Sequence, residues 1–196
     1  MITYVLDLLH NFITRLSDEE DFEEHFHAII QRYTTPILEA FYIEMQRSGR
    51  AQVAIEYLND LCDEIFQYDG AYFFENVPDN LLVFVGQQTL SVKFHLQCEA
   101  AQFLNTAFSC GRRFPQELCS VMERFKPTEE NLEFCYMFLV DLLKQFGVDK
   151  GIGLIQKLSD IHNANGNAYA RLILQYLDDE DIQNAMNAFQ HSMGCS

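Results

Sequence analysis

The sequence predicts an all-α protein, and three observations carry that reading. Apolar residues recur at three- and four-residue spacing along almost the whole chain. The breaks between these stripes are short and rich in Gly, Pro, Asn or Asp. Nowhere do strand-like and helical stretches alternate. At 196 residues, 48% of them hydrophobic, the chain can bury a sizeable core and reads as one domain over 1–196.

The first stripe is Ile2, Val5, Leu6, Leu9, Ile13 and Leu16. Ser17-x-x-Glu20 then has the form of a capping box opening a second helix, with Phe22, Phe26, Ile29, Ile30 and Tyr33 inward. Pro36, suited to a first helical turn, opens a third segment that carries Ile37, Leu38, Phe41, Tyr42 and Met45 and closes at Gly49. A fourth holds Ala54, Tyr57, Leu58, Leu61, Cys62 and Ile65 and ends near Gly70. The stretch from Tyr72 to Pro78 is the least regular, which makes Tyr72-Phe73-Phe74 a candidate exposed aromatic site. Leu82 to Val85 reads as a short strand or a buried half-helix, with the helix favoured.

From Thr89 the helical period returns, with Leu90, Phe94, Cys98, Ala101, Leu104 and Phe108 on one face up to Gly111. Leu118, Cys119, Met122 and Phe125 follow between Pro115 and Pro127, and Thr128 is placed to cap the next helix. That helix has the cleanest stripe, Cys135, Phe138, Leu139, Leu142, Leu143 and Phe146, and stops at Gly147. Two shorter stripes flank the Asn163-Ala164-Asn165-Gly166 turn, and Asp178-Asp179-Glu180-Asp181 opens a last one with Ile182, Met186 and Phe189. The total is about ten helices, and links this short favour antiparallel neighbours. Pairs recurring every ~35–45 residues predict helical hairpins stacked as a HEAT-like solenoid, with an irregular globular bundle as the alternative.

Charge narrows the function. A formal net charge of −16 opposes a nucleic-acid surface, whose affinity comes from Lys and Arg displacing counterions. It opposes an anionic membrane surface equally. Residues 1–90 hold 16 acidic and 4 basic side chains and residues 91–196 hold 13 and 9, so the balance falls from −12 to −4 between the halves. The start lacks a basic region before its apolar residues, no apolar run nears the ~18 residues of a spanning helix, and no Asn-x-Ser/Thr sequon occurs. The 6 cysteines therefore read as reduced thiols of a cytoplasmic or nuclear protein.

Catalytic and cofactor signatures are missing. Gly151-Ile152-Gly153 lacks a third glycine and a preceding strand, so it reads as a helix terminus rather than a phosphate loop. His25 and His27 are two apart on a helix and point away from each other, which prevents both from closing on one metal ion. Cys110, next to Arg112 and Arg113, is the one thiol whose neighbours favour a thiolate. No carboxylate pair comes with a cleft-forming context. The expected protein is thus non-catalytic and without cofactors, and its partners are other proteins. Arg112, Arg113, Arg124 and Lys126 form the one local reversal of charge and are the candidate docking point for an acidic partner segment. The plainer reading pairs them with Glu117, Glu123, Glu129 and Glu130.

Three segments resemble the middle domain of the eukaryotic translation initiation factor 4G family. They are Val5-Leu6-Asp7-Leu8-Leu9-His10-Asn11-Phe12; Val92-Lys93-Phe94-His95 leading into Phe103-Leu104-Asn105-Thr106-Ala107-Phe108; and the series from Asn131 through Gly147, Leu154 to Leu158 and Ala170 to Leu177. The resemblance implies a crescent of antiparallel helices that scaffolds messenger-RNA translation or turnover by gripping proteins such as DEAD-box helicases. A second class of interaction protein, a compact bundle that captures an amphipathic helix in a groove as apoptosis regulators do, is the alternative. The Asn-Trp-Gly-Arg run of that class is absent here.

Overall fold

The computed structural model describes residues 22–175, and the expected helices over 2–16 and beyond Asp178, with the Ser17 capping box, lie outside them. Among the described residues there are eight α-helices, two short 3-10 turns and no strand. The helices are α1 (Phe22–Met45), α2 (Ala51–Glu75), α3 (Asp79–Gln88), α4 (Phe94–Ser109), α5 (Cys119–Arg124), α6 (Glu129–Phe146), α7 (Ile152–Asn165) and α8 (Ala168–Gln175). The 3-10 turns are Gln116–Leu118 and Val148–Gly151. No helix among the described residues is long and apolar enough to cross a membrane.

Two expected boundaries are absent. Pro36 does not open a helix: it lies exposed inside α1, which continues on both sides of it. An interior proline costs about 3 kcal/mol because it removes a bond to the carbonyl four residues back. The buried stripe of Phe26, Ile30, Leu38, Phe41 and Met45 runs unbroken past it, so burial of that stripe outweighs the lost bond. Thr34, buried beside it, donates its hydroxyl to the Ile30 carbonyl at 2.6 Å. Tyr33, expected inward, faces solvent.

Gly70, likewise, does not end α2. It is helical and buried, and Phe73 and Phe74 beyond it are fully buried and hold the helix on course to Glu75. The aromatic triplet is therefore core rather than an exposed site. The Phe74 ring lies 5.8 Å from that of Phe103 in α4, and the half-buried Tyr72 lies 5.8 Å from His27 in α1. Pro78 enforces the stop a few residues later by disfavouring helical backbone in the residue before it. α4 begins at Phe94 rather than Thr89, and Gln97 Nε2 ties it to the preceding link by donating to the Thr89 carbonyl at 2.6 Å.

Other sequence signals act as read. Leu82 to Val85 is helical, within α3. Thr128 caps α6: its hydroxyl accepts from the Asn131 N–H at 3.1 Å, while Asn131 Oδ1 accepts from the Thr128 N–H at 2.8 Å. Gly166 takes the left-handed conformation (φ 70°) that ends α7, donating its N–H to the His162 carbonyl at 2.7 Å.

Contacts across the helices show how they are ordered. α2, α4 and α6 run in the same direction. Near the amino ends of α2 and α4, Glu56 lies 3.0 Å from His95, and Asn59 Nδ2 donates to the Glu99 carboxylate at 2.8 Å. At their carboxyl ends, Arg112 donates to the Val77 carbonyl at 2.9 Å. On the other flank of α4, Phe94 meets Phe134 of α6 edge-on at 5.3 Å, and Phe114, just past α4, meets Phe138 at 5.9 Å. Gln145 bonds both backbone polar groups of Phe114, at 2.8 and 2.7 Å. α8 lies against α6, with Tyr169 5.5 Å from Tyr136. α1 packs on α2, α3 on α4, α5 on α6 and α7, and α7 on α8, while Tyr42 joins α1 to α3 through Phe84. One continuous apolar cluster results, from Phe26 to Ile173.

Gly86 marks the tightest approach between α3 and the first 3-10 turn, since a Cβ there would overlap the buried Leu118 side chain. We predict that Gly86→Ala destabilises the protein by about 1 kcal/mol in urea denaturation despite alanine's better helix propensity. The Gly86→Ala, Leu118→Ala double variant should lose less than the two single variants added together.

Candidate functional site

The four basic residues singled out in the sequence do not form one patch. Arg112 is committed to the fold. Its Nε and Nη2 donate to the Val77 carbonyl at 3.1 and 2.9 Å, its Nη1 to the Arg113 carbonyl at 3.0 Å, and its Nη2 also to the Asp79 carboxylate. It thereby clamps the corner where α2 hands over to α3, using a backbone acceptor that no residue pattern reveals. Its acidic partner is Asp79, not one of the four glutamates proposed from the sequence. Arg113 is exposed, with its guanidinium 5.7 Å from the Phe108 ring centre.

Arg124 and Lys126 stand elsewhere, on a groove of about 810 Å³ between the link preceding α4 and the segment joining α5 to α6. Leu90, Val92 and Phe94 give the groove its apolar part, and Lys157 of α7 completes a basic trio with Arg124 and Lys126. Glu123 and Glu130 also line it, and neither Arg112 nor Arg113 does. Among the described residues Arg124 and Lys126 make no side-chain hydrogen bond or ion pair. Lys157 is fixed in place, since its Nζ donates to the carbonyls of Glu123 and Phe125 at 2.9 and 3.0 Å and so satisfies the carboxyl end of α5. Its place beside residues 31 and 33 positions away was not legible in the linear sequence.

Next to the groove, exposed apolar side chains cross from helix to helix. Val92 is fully exposed, Phe134 and Met137 of α6 are 51% and 37% exposed one turn apart, and Leu172 of the neighbouring α8 is 46% exposed. Phe94 links Val92 to Phe134, because it lines the groove and meets the Phe134 ring edge-on.

Burial raises each of the described thiols, which disfavours the nucleophilic thiolate. The five described cysteines, Cys62, Cys98, Cys110, Cys119 and Cys135, are free. Burial pushes the Cys110 thiol up, against the thiolate that its arginine neighbours suggested. Burial also raises Cys135, to about 12. No group of three His, Cys, Asp or Glu among the described residues is arranged to hold a metal ion, and His25 and His27 are both exposed on α1.

Among the described residues Asp141 is the one buried carboxylate with a large shift. It is 4% exposed in the middle of α6, its Oδ2 has no hydrogen-bond partner, and desolvation drives it up to about 6 against the opposing pull of Lys144. A carboxyl raised in the folded state holds its proton more tightly there than in the unfolded chain. Its contribution to stability therefore falls as pH rises through about 6 and recovers as pH drops toward the ordinary value of 3.8.

No family model, curated protein or solved structure matches the chain.

Two predictions separate structural from available charges. Arg112→Ala should cost about 2 kcal/mol in chemical denaturation, because it strands the Val77 carbonyl, whereas Arg113→Ala should change stability by less than about 0.5 kcal/mol. Asp141→Asn should stabilise the protein by about 1 kcal/mol near neutral pH. It should also flatten the pH dependence of the melting temperature between the ordinary carboxyl value and about 6, measured by calorimetry across that range.

Proposed function

We propose that this chain is a non-catalytic scaffold that binds other proteins, with its helix pairs α1/α2, α3/α4, α5/α6 and α7/α8 acting as stacked hairpins of the HEAT type. The shared direction of α2, α4 and α6 and the serial order of their contacts support that architecture. The observation that carries the function is the run of exposed apolar side chains Val92, Phe134, Met137 and Leu172. These residues lie on the link before α4, on α6 and on α8, elements joined by the Phe94–Phe134 contact and the packing of α8 on α6, and exposed apolar side chains shared by neighbouring elements suit a partner that covers them.

A place in messenger-RNA translation or turnover, with a helicase of the DEAD-box class among the partners, rests on the sequence resemblance alone. The charge of −16 supports protein rather than RNA as the directly bound component. A cytoplasmic or nuclear setting follows from the same reading.

The test is affinity capture from cell lysate with mass spectrometry, comparing the unaltered chain with a Phe134→Asp, Met137→Asp variant whose helicity is checked by circular dichroism. Partners that include a DEAD-box helicase should be retained by the first and lost by the second, at about 2 kcal/mol per buried anchor. An identical partner set for both, or sub-micromolar binding of single-stranded RNA at physiological salt, would overturn the proposal.

A further inference from the structure

We propose that the groove at the amino ends of α4 and α6 receives an acidic peptide segment of a partner protein, one that carries an aromatic or large aliphatic side chain beside its carboxylates. This assigns a ligand chemistry to the scaffold reading and rests on it.

The charge of the groove is the first argument. Its lining holds Arg124, Lys126 and Lys157 against Glu123 and Glu130, a balance of +1, on a chain whose total is −16. Among the described residues Arg124 and Lys126 are left without a partner, although Glu123 and Glu130 line the same groove. A carboxylate-bearing segment is repelled by most of this surface and meets a favourable potential here, which is the condition for charge-directed docking.

Helix ends add to it. α4 and α6 both open on the groove with their amino ends, where the helix dipole places partial positive charge. At the carboxyl end of α5 the Glu123 carbonyl, and that of Phe125 just past it, accept from Lys157. The first turn of α4 has no side-chain cap, while that of α6 is closed by Thr128 and Asn131. The Lys93 N–H is taken by the Ser91 hydroxyl at 3.1 Å, and a carboxylate arriving at Phe94 finds the N–H groups of the first turn of α4 without a side-chain cap.

Apolar lining distinguishes the ligand from a simple anion. Leu90, Val92 and Phe94 bound the groove beside the cations, and Phe94 continues into Phe134. Alternating apolar and acidic side chains on a peptide match that pattern. An RNA strand does not, since the phosphates that follow the one in the groove would pass the exposed Glu129, Glu130 and Glu133.

Selection of random dodecapeptides displayed on phage against the full chain tests this, followed by anisotropy titration of a fluorescent copy of the enriched sequence. The expected motif places Asp or Glu around Phe, Leu, Ile or Met. Affinity should fall about tenfold or more in Arg124→Glu, Lys126→Glu, fall also in the milder Arg124→Ala, Lys126→Ala and in Val92→Asp, and weaken with added salt. Arg113→Glu should leave it unchanged. No enrichment, an enriched basic or uncharged motif, undiminished affinity in both double variants, or displacement of the peptide by an equal concentration of oligouridylate would each overturn the proposal. Loss of captured partners in the Phe134→Asp, Met137→Asp variant without any effect of the Arg124 and Lys126 variants would remove the groove assignment and leave the scaffold reading standing.

Discussion

α4 is packed on both flanks at once, and the positions of the other helices follow from that. A surface helix needs one apolar stripe; a helix held between two neighbours needs a wider one with small residues that allow close approach. α4 meets this with Leu96, Ala100, Ala101, Phe103, Leu104 and Ala107, all buried. Polar contacts fix its register against α2: Asn59 reaches both the backbone carbonyl and the carboxylate of Glu99, at 3.0 and 2.8 Å. Aromatic contacts fix it against α6, through Phe94 on Phe134 and Phe114 on Phe138. With no tryptophan in the chain, phenylalanine supplies the large buried rings at both seams.

What was readable in the sequence divides along the range of the interaction involved. Local signals held: Thr128 with Asn131, and Gly147 and Gly166 at helix ends, depend on backbone geometry within a few residues. Pro36 and Gly70 were misread because each is a local breaker overruled by distant burial, of Leu38 and Phe41 in one case and of Phe73 and Phe74 in the other. Tyr72-Phe73-Phe74 was misread for the same reason, since aromatic crowding looks alike whether it faces a neighbouring helix or water. The basic cluster shows the opposite failure. Four residues close in sequence are divided by the chain turn at Pro115, which leaves Arg112 as a corner clamp and turns Arg124 and Lys126 toward a lysine from another helix.

The uneven charge of the chain acquires a spatial meaning. The acidic excess of residues 1–90 includes Glu56, Asp60 and Asp63 on α2, where burial and then the neighbouring carboxylates raise Asp60. Beyond α4 lie the exposed Arg113, Arg124 and Lys126 and, among the described residues, three of the six large exposed hydrophobic side chains, Phe134, Met137 and Leu172. Attraction for an acidic segment and repulsion of it are thus placed on different helices, an arrangement that orients a partner as well as holding it.

The serial order of contacts bears on how the chain reaches this state. Among the described residues each substantial contact joins helices no more than two apart along the chain, and even the longer-range bonds, such as Arg112 to Val77 at a separation of 35 residues, close within that distance. Contacts this local keep the entropy of loop closure small and favour rapid folding. During synthesis from the amino end, each helix within 22–175 then has its packing partner available almost as soon as it emerges, and no apolar face of that stretch has to wait exposed for a partner from its far end.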